Sequence, residues 1–269
     1  MSKIWFITGA SRGFGRVWAE AALERGDMVA ATARNLESIA DLKERFGDAF
    51  LPLQLDVTDA ERVPQAVHQA FEHFGRLDVL VNNAGYSLMA TAEEATDEQV
   101  QALFDANYFG VVRVIRAALP LLRKQGSGHI LGVTSSLGIL PSPLIGFYSA
   151  TKAAAEALHE TLAKEVAQFG IKVTMIEPGA YATEFGKSAA RANPLEVYDA
   201  FRKDFMTGLM KLERGNPRAT ADALFKVVDA EQPPLRLILG STALPDIRVA
   251  YADRLATWEA WQAVSDSAQ

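Results

Sequence analysis

Short, wholly apolar runs alternate with longer amphipathic stretches along the chain. Ile4–Thr8 predicts a buried strand and 13–25 a helix that stops at Gly26. Met28–Ala33 predicts a second strand, 36–46 a helix ending at Gly47, and Phe50–Leu55 a third strand. Over 59–74 the residues Val63, Ala66, Val67, Ala70, Phe71 and Phe74 recur at helical spacing, and Gly75 closes the helix. A fourth strand is expected at Leu77–Val81. A long helix follows from about Asp97 to Lys124, with Gly126-Ser127-Gly128 as its exit. The series ends with a strand at His129–Thr134, a helix over 148–169 stopped by Gly170, a strand at Ile171–Ile176, a helix near 220–230 and a strand at Leu235–Leu239.

Strands that are apolar throughout, separated by helices, are covered on both faces, which is the signature of a parallel sheet. Right-handed crossovers then give a doubly wound α/β sheet of the Rossmann-like kind. No Pro/Ser/Gly-rich linker divides the chain, so 1–269 reads as one domain, with its core at about 3–240 and a C-terminal extension at 241–269. Residues 184–215 interrupt the last βα units with mixed polar and large apolar side chains. The extension carries Trp258 and Trp261. Neither segment is needed to build the sheet.

Composition removes several alternatives. The formal net charge of −6, with no Lys/Arg run, argues against a nucleic-acid partner. There is no cysteine, which excludes disulfides, thiolate–zinc sites and a cysteine nucleophile and fits a reducing cytoplasm. His68, His73, His129 and His159 lack metal-ligand spacing, so no metal site is expected. Ile4–Ile7 is too short for a signal peptide, and Arg113, Arg116 and Arg123 interrupt the nearest candidate for a membrane span.

The chemistry begins at the first strand–helix junction, Thr8-Gly9-Ala10-Ser11-Arg12-Gly13-Phe14-Gly15. Glycines there allow a tight turn and let the backbone approach a pyrophosphate, which the helix N-terminus attracts. An NAD site would place Asp or Glu at the end of the second strand to hold the ribose 2′-hydroxyl. Arg34 stands there instead, with Arg12 in the turn. Two guanidiniums suit a 2′-phosphate, so NADP is expected, with NAD the weaker alternative.

These residues, with others in order downstream, resemble the short-chain dehydrogenase/reductase family. Thr8–Gly15 looks like its cofactor turn and Asp56-Val57 like its adenine-contacting pair. Asn82-Asn83-Ala84-Gly85 looks like its motif after the fourth strand, and Pro178-Gly179 with Thr183 like its nicotinamide-side loop. The resemblance covers 4 to about 183 by motif and reaches about 240 by strand–helix order. The glycine spacing points to the compact single-domain branch, and the extension to hydroxysteroid and retinol dehydrogenase-like members. The resemblance implies a cofactor site formed by Gly9, Ser11, Arg12, Gly13, Phe14, Gly15, Arg34, Asp56, Val57, Asn83, Ala84, Gly85, Tyr148, Lys152, Pro178, Gly179 and Thr183.

It further implies a catalytic tetrad of Asn107, Ser135, Tyr148 and Lys152. Tyr148 and Lys152 are four apart on a predicted helix and share a face. A free phenol titrates near ~10, and a neighbouring ammonium lowers that value toward the working range. Tyr148 would exchange a proton with the substrate oxygen while Ser135 orients it, with Ser136 the alternative serine. Lys152 would also bind the nicotinamide ribose, and Asn107 would anchor a proton-relay water.

The expected activity is hydride exchange between NADP(H) and a carbonyl/alcohol pair. Apolar Ile139–Phe147 and 184–215 fall on the ligand side of the sheet, so the latter is either a lid over a lipophilic substrate or ordinary packing. The family pairs subunits through its long helices, so a homodimer or homotetramer is expected. Two other functions compete: a silent NADP-sensing or scaffold protein, disfavoured because all four tetrad residues are present, and an NADP-dependent isomerase or lyase, disfavoured by the glycine spacing.

Overall fold

The first strand shows why a sheet forms with helices on both sides. In the computed structural model, which describes residues 2–186 and 188–269, Ile4, Trp5, Phe6 and Ile7 are all buried. Strand geometry sends alternate side chains to opposite faces. Ile4 and Phe6 enter one core with Val63, Val67, Val114 and Ile130. Trp5 and Ile7 enter the other with Trp18, Val29, Val81 and Leu224. Each large side chain so enclosed contributes roughly 1.5–3 kcal/mol, and a strand that is apolar at every position can only sit between two cores.

The elements in chain order are β1 (Ile4–Ile7), α1 (Gly13–Glu24), β2 (Met28–Ala33), α2 (Ala40–Phe46), β3 (Phe50–Gln54), α3 (Arg62–Phe74), β4 (Val79–Asn82) and β5 (Leu88–Met89). Then come α4 (Asp97–Phe104), α5 (Gly110–Gln125), β6 (Gly128–Val133), α6 (Ser136–Ile139), α7 (Gly146–Val166), β7 (Ile171–Pro178) and β8 (Ala190–Arg191). The chain closes with α8 (Asp199–Lys211), α9 (Thr220–Asp229), β9 (Arg236–Leu239), α10 (Ala243–Ala260) and α11 (Gln262–Asp266). Seven strands form one parallel sheet in the order β3-β2-β1-β4-β6-β7-β9. The order reverses between β1 and β4, and a crevice opens beyond their carboxyl ends.

Every expected strand is present, and the differences are local. The helix expected from 59 starts at Arg62, because Asp59 Oδ1 accepts the Glu61 and Arg62 N–H groups and holds 59–61 as a turn. The long helix expected over Asp97–Lys124 is interrupted. Asp105–Phe109 makes a π-turn between α4 and α5. Such bulges re-aim side chains and recur at functional sites. Segment 184–215, within which Lys187 lies outside the described residues, contains β8 and α8. β8 pairs with β5 in a separate two-stranded sheet. The C-terminal extension is helical and leaves the body after buried Ile247: from Arg248 onward every residue except Ala250 is exposed. Among the described residues no helix is long and apolar enough to cross a membrane.

Candidate active site

The glycine turn is shaped by how closely backbone meets backbone. Gly9 has φ +70°, and a Cβ there would lie 2.9 Å from Ala84 Cα. A Cβ on Gly15 would strike the Gly9 carbonyl and lie 2.5 Å from Asn83 Nδ2. Thr8 and Asn83 then lock the turn to the loop after β4. Thr8 Oγ1 accepts the N–H groups of Asn83 and Ala84, each at 3.0 Å. Asn83 Nδ2 donates to the Thr8 and Gly9 carbonyls at 2.9 and 3.0 Å. The Asn83 side chain is therefore spent on holding the turn, and Thr8 is a structural partner that the glycine spacing alone does not disclose.

α1 begins at Gly13 with no side-chain cap and no acidic residue in its first turn. Its N-terminal amides are thus left to an external acceptor. Ser11, Arg12 and Arg34 are exposed at the same edge. Arg16 is engaged by Asp41 and the Ser38 carbonyl, whereas the guanidiniums of Arg12 and Arg34 have no hydrogen-bond or ion-pair partner among the described residues. Phe14 stacks on Trp18 with ring centroids 5.1 Å apart. Asp56 is exposed, its Oδ1 accepting from the Thr58 N–H and hydroxyl. Val57 is buried against Gly110, where a Cβ would lie 2.8 Å from Val57 Cγ2.

On the opposite side of the crevice α7 presents Tyr148 and Lys152, both buried. Lys152 Nζ donates to the Val133 carbonyl at 2.7 Å and lies 5.7 Å from the Tyr148 ring centre. Of the two serines after β6, Ser135 is the one whose side chain acts on the Tyr148 phenol, favouring its ionised form. It also caps α6, accepting the Leu137 N–H at 3.1 Å. Burial raises the Tyr148 pKa, and the Ser135 side chain pulls it back down. Burial pushes Lys152 down to about 8, against the opposing pull of Glu156. Burial is therefore the dominant influence on the phenol.

Asn107 sits on the π-turn, fully buried. Its Nδ2 donates to the Tyr86 carbonyl at 2.8 Å and to Thr151 Oγ1 at 3.1 Å, while its Oδ1 accepts the Tyr86 N–H at 3.0 Å. A Cβ on Gly85 would lie 2.8 Å from that Oδ1 and 3.9 Å from Lys152 Nζ. Asn107 thus ties the loop after β4 to α7. Thr151, one residue before Lys152, is a partner that no motif announces. Pro178 ends β7, the Gly179 N–H donates to the Leu239 carbonyl at 3.0 Å, and half-buried Thr183 accepts the Phe185 N–H.

Over Tyr148 lies an apolar cluster of Leu88, Ala90 and Leu103, with Leu137, Ile145 and Phe147 against it. The Phe185 ring covers Tyr148 at 5.6 Å between centres. The rest of 184–215 is held by polar contacts: α8 buries none of its residues. Buried Glu94 accepts from the Leu195 N–H at 2.9 Å and from Arg202 Nη1 at 3.3 Å and also bonds Nη2, while Tyr198 Oη donates to Glu93 at 2.8 Å. Hydrogen bonds from Arg202 outweigh burial and hold Glu94 down at about 2.

The crevice fits a dinucleotide: an uncapped helix N-terminus, a turn in which Cβ atoms would collide, and two uncommitted guanidiniums line one side, and a buried tyrosine–lysine pair the other. No group of residues able to hold a metal occurs among the described residues.

Comparison with known proteins agrees. The family model for short chain dehydrogenases matches residues 3–194. An oxidoreductase of Botryotinia fuckeliana is 42% identical over 98% of both chains. A 3-ketodihydrosphingosine reductase of Bacteroides thetaiotaomicron is 35% identical over 94% of this chain and 97% of its own. A solved short-chain dehydrogenase of Streptomyces avermitilis, 40% identical, superposes over 100% of both chains with a TM-score of 0.93. More distant structures with TM-scores of 0.76 and 0.75, 28% and 27% identical over 90% and 88% of this chain and 98% and 96% of theirs, were solved with 5-hydroxy-NADP and NADH respectively. Sheet order, crevice and sequence agree that the chain belongs to the short chain dehydrogenase family.

Proposed function

We propose that this protein is an NADP(H)-dependent oxidoreductase acting on a lipophilic ketone or aldehyde, or on the corresponding alcohol. The observation that carries the reading is the buried Tyr148 phenol, with the Lys152 ammonium, one helical turn along α7, 5.7 Å from its ring centre. Arg12 and Arg34 favour the 2′-phosphorylated cofactor because no other described residue occupies their charge. The nicotinamide, when bound, supplies or accepts the hydride.

The chain's own residues do the rest. Ser135 donates a hydrogen bond to the carbonyl oxygen and fixes it beside the phenol. Tyr148 gives its proton to that oxygen during reduction and takes it back during oxidation. Lys152 places a positive charge beside the phenolate left behind, which stabilises it. Asn107 keeps Gly85 and α7 in register, so the lysine is held where the proton leaves. The apolar cluster around Tyr148, roofed by Phe185, excludes water and favours a lipophilic carbonyl. The relative named as a 3-ketodihydrosphingosine reductase is consistent with that choice.

The test is consumption of NADPH and NADH by the purified chain across aldehydes, aliphatic and aromatic ketones and keto-esters, beside Tyr148→Phe and Arg34→Leu. Tyr148→Phe should cost about 10²–10⁴ in turnover while NADPH still binds. Arg34→Leu should raise KM for NADPH and leave that for NADH nearly unchanged. Binding of NADPH without turnover of any carbonyl would replace this reading with that of a nucleotide sensor.

A further inference from the structure

A third ionisable group lies on the face of α7 that carries Tyr148 and Lys152. Tyr148, Lys152 and Glu156 are spaced by four, so they stack along one side of the helix. Glu156 is buried beneath the serine turn. A Cβ on Gly138 would lie 2.5 Å from Glu156 Oε1 and 3.1 Å from the Lys152 backbone, so a glycine is needed there to admit the carboxylate.

Groups from four elements face it. Lys152 and the more exposed Glu160 come from α7, buried Glu177 from β7, and Arg236 from the edge strand β9. Arg236 Nη1 donates to Glu156 at 2.9 Å and to Glu177 at 2.8 Å, and its Nη2 donates to Glu160 at 2.7 Å. Thr134, at the end of β6, donates its hydroxyl to the Ile176 carbonyl at 3.2 Å. Glu156 Oε1 has no hydrogen-bond partner among the described residues. Lys152 is also faced by Tyr148 and by buried His159, whose Nδ1 bonds the Ala155 carbonyl at 2.7 Å.

We propose that Glu156 is a positioning residue of the reaction: its carboxylate keeps the Lys152 ammonium charged, and Arg236 keeps Glu156 ionised. The inference rests on the reductase reading above. One arginine serves three carboxylates, so the charge behind the lysine is set at the sheet edge, remote from the substrate. Glu156 is the group that opposes the effect of burial on Lys152. Burial pushes Glu156 itself up to about 7, with Arg236 pulling it down and Glu177 pushing it up. Both members of the pair therefore respond to pH near neutrality.

The test reads kcat/KM for carbonyl reduction from about pH 6 to about pH 10, a range spanning the two groups. It is run on the native chain, Glu156→Gln and Glu177→Gln, beside ¹³C NMR titration of lysine-labelled protein with Lys152→Met to assign the signal. Glutamine at 156 can still accept from Arg236, so the fold is kept. Its expected effect is to move the alkaline limb and the Lys152 titration together to lower pH, by about half a unit or more. Glu177→Gln removes a charge that disfavours ionised Glu156, and should move both the opposite way. An active native enzyme whose Lys152 signal is unmoved in Glu156→Gln, with activity reduced evenly at every pH, would overturn the proposal and leave Glu156 a packing residue. A native chain that turns over no carbonyl while the Lys152 signal shifts as stated overturns the reductase reading and supports the coupling.

Discussion

Glu94 beside α8 and Glu156 behind the lysine are both buried carboxylates paired with an arginine, yet their acidities diverge. Glu94 is held near 2, whereas Glu156 is pushed up to about 7. Burial is the largest influence on Glu156 and the Arg202 hydrogen bond the largest on Glu94, and the number of donors each carboxylate has to itself widens the gap. Glu94 receives two guanidinium contacts and the N–H groups of Thr91 and Leu195, and shares its arginine with only a distant Asp199. Glu156 receives one guanidinium bond from an arginine also claimed by Glu160 and Glu177, and one of its oxygens has none. The first arrangement makes a latch whose charge is fixed across ordinary pH, and the second a carboxylate whose charge can be lost near neutrality.

The comparison can be broken most forcefully at Arg236. Arg236→Met leaves buried Glu177 without a cation and Glu156 with Lys152 alone, and stability by urea denaturation should fall by about 2–3 kcal/mol. That is below the loss for a fully enclosed pair, because Arg236 is partly in solvent. An unchanged midpoint would mean that these carboxylates are already neutral in the native chain. Arg202→Met should have a smaller and different effect. Without it the polar hold on α8 falls to the flanking Tyr198 and Leu195 contacts, so KM for the carbonyl substrate should rise more than kcat falls, and limited proteolysis should cut near 193–215. Equal loss of kcat and KM specificity would place α8 in the chemistry rather than over it.

The smallest effect is on acid stability. Glu94 is depressed from 4.5 to about 2, so its contribution is complete above 4.5 and lost as pH falls toward about 2. His129 and His159, held neutral by burial, are depressed from 6.5 to about 4. The unfolded chain binds their protons first, so thermal stability should begin to fall below about pH 6.5, before the latch titrates. A melting temperature flat from about pH 7 to about pH 5 would show that these histidines are solvated in the native state.

The fold was legible because its strands are apolar at nearly every position, a pattern that only a sheet covered on both faces explains. Less legible were breaks made by polar contacts, such as the Asp59 turn that delays α3 and the π-turn at Asp105–Phe109. Periodicity runs through both. In the site, spacing exposed Tyr148 and Lys152, and of Ser135 and Ser136 only Ser135 acts on the phenol's acidity. Thr151 and Arg236 act across long separations in sequence and leave no local trace. Glu156 did leave one, four residues beyond Lys152, but only Arg236, 80 residues away, gives that spacing a meaning. For Trp258 and Trp261 the sequence left open packing on the body, and they face solvent instead.

That placement divides the intrinsic fluorescence of the chain. Trp5 and Trp18 are wholly enclosed and Trp258 and Trp261 are each 63% exposed, so the emission is the sum of a blue-shifted and a red-shifted pair. Trp18 stacks on Phe14 inside the glycine turn, while the exposed pair rides on a helical arm free of the body. Collisional quenchers such as iodide reach the arm alone, and what remains is an optical signal from the nucleotide side of the sheet.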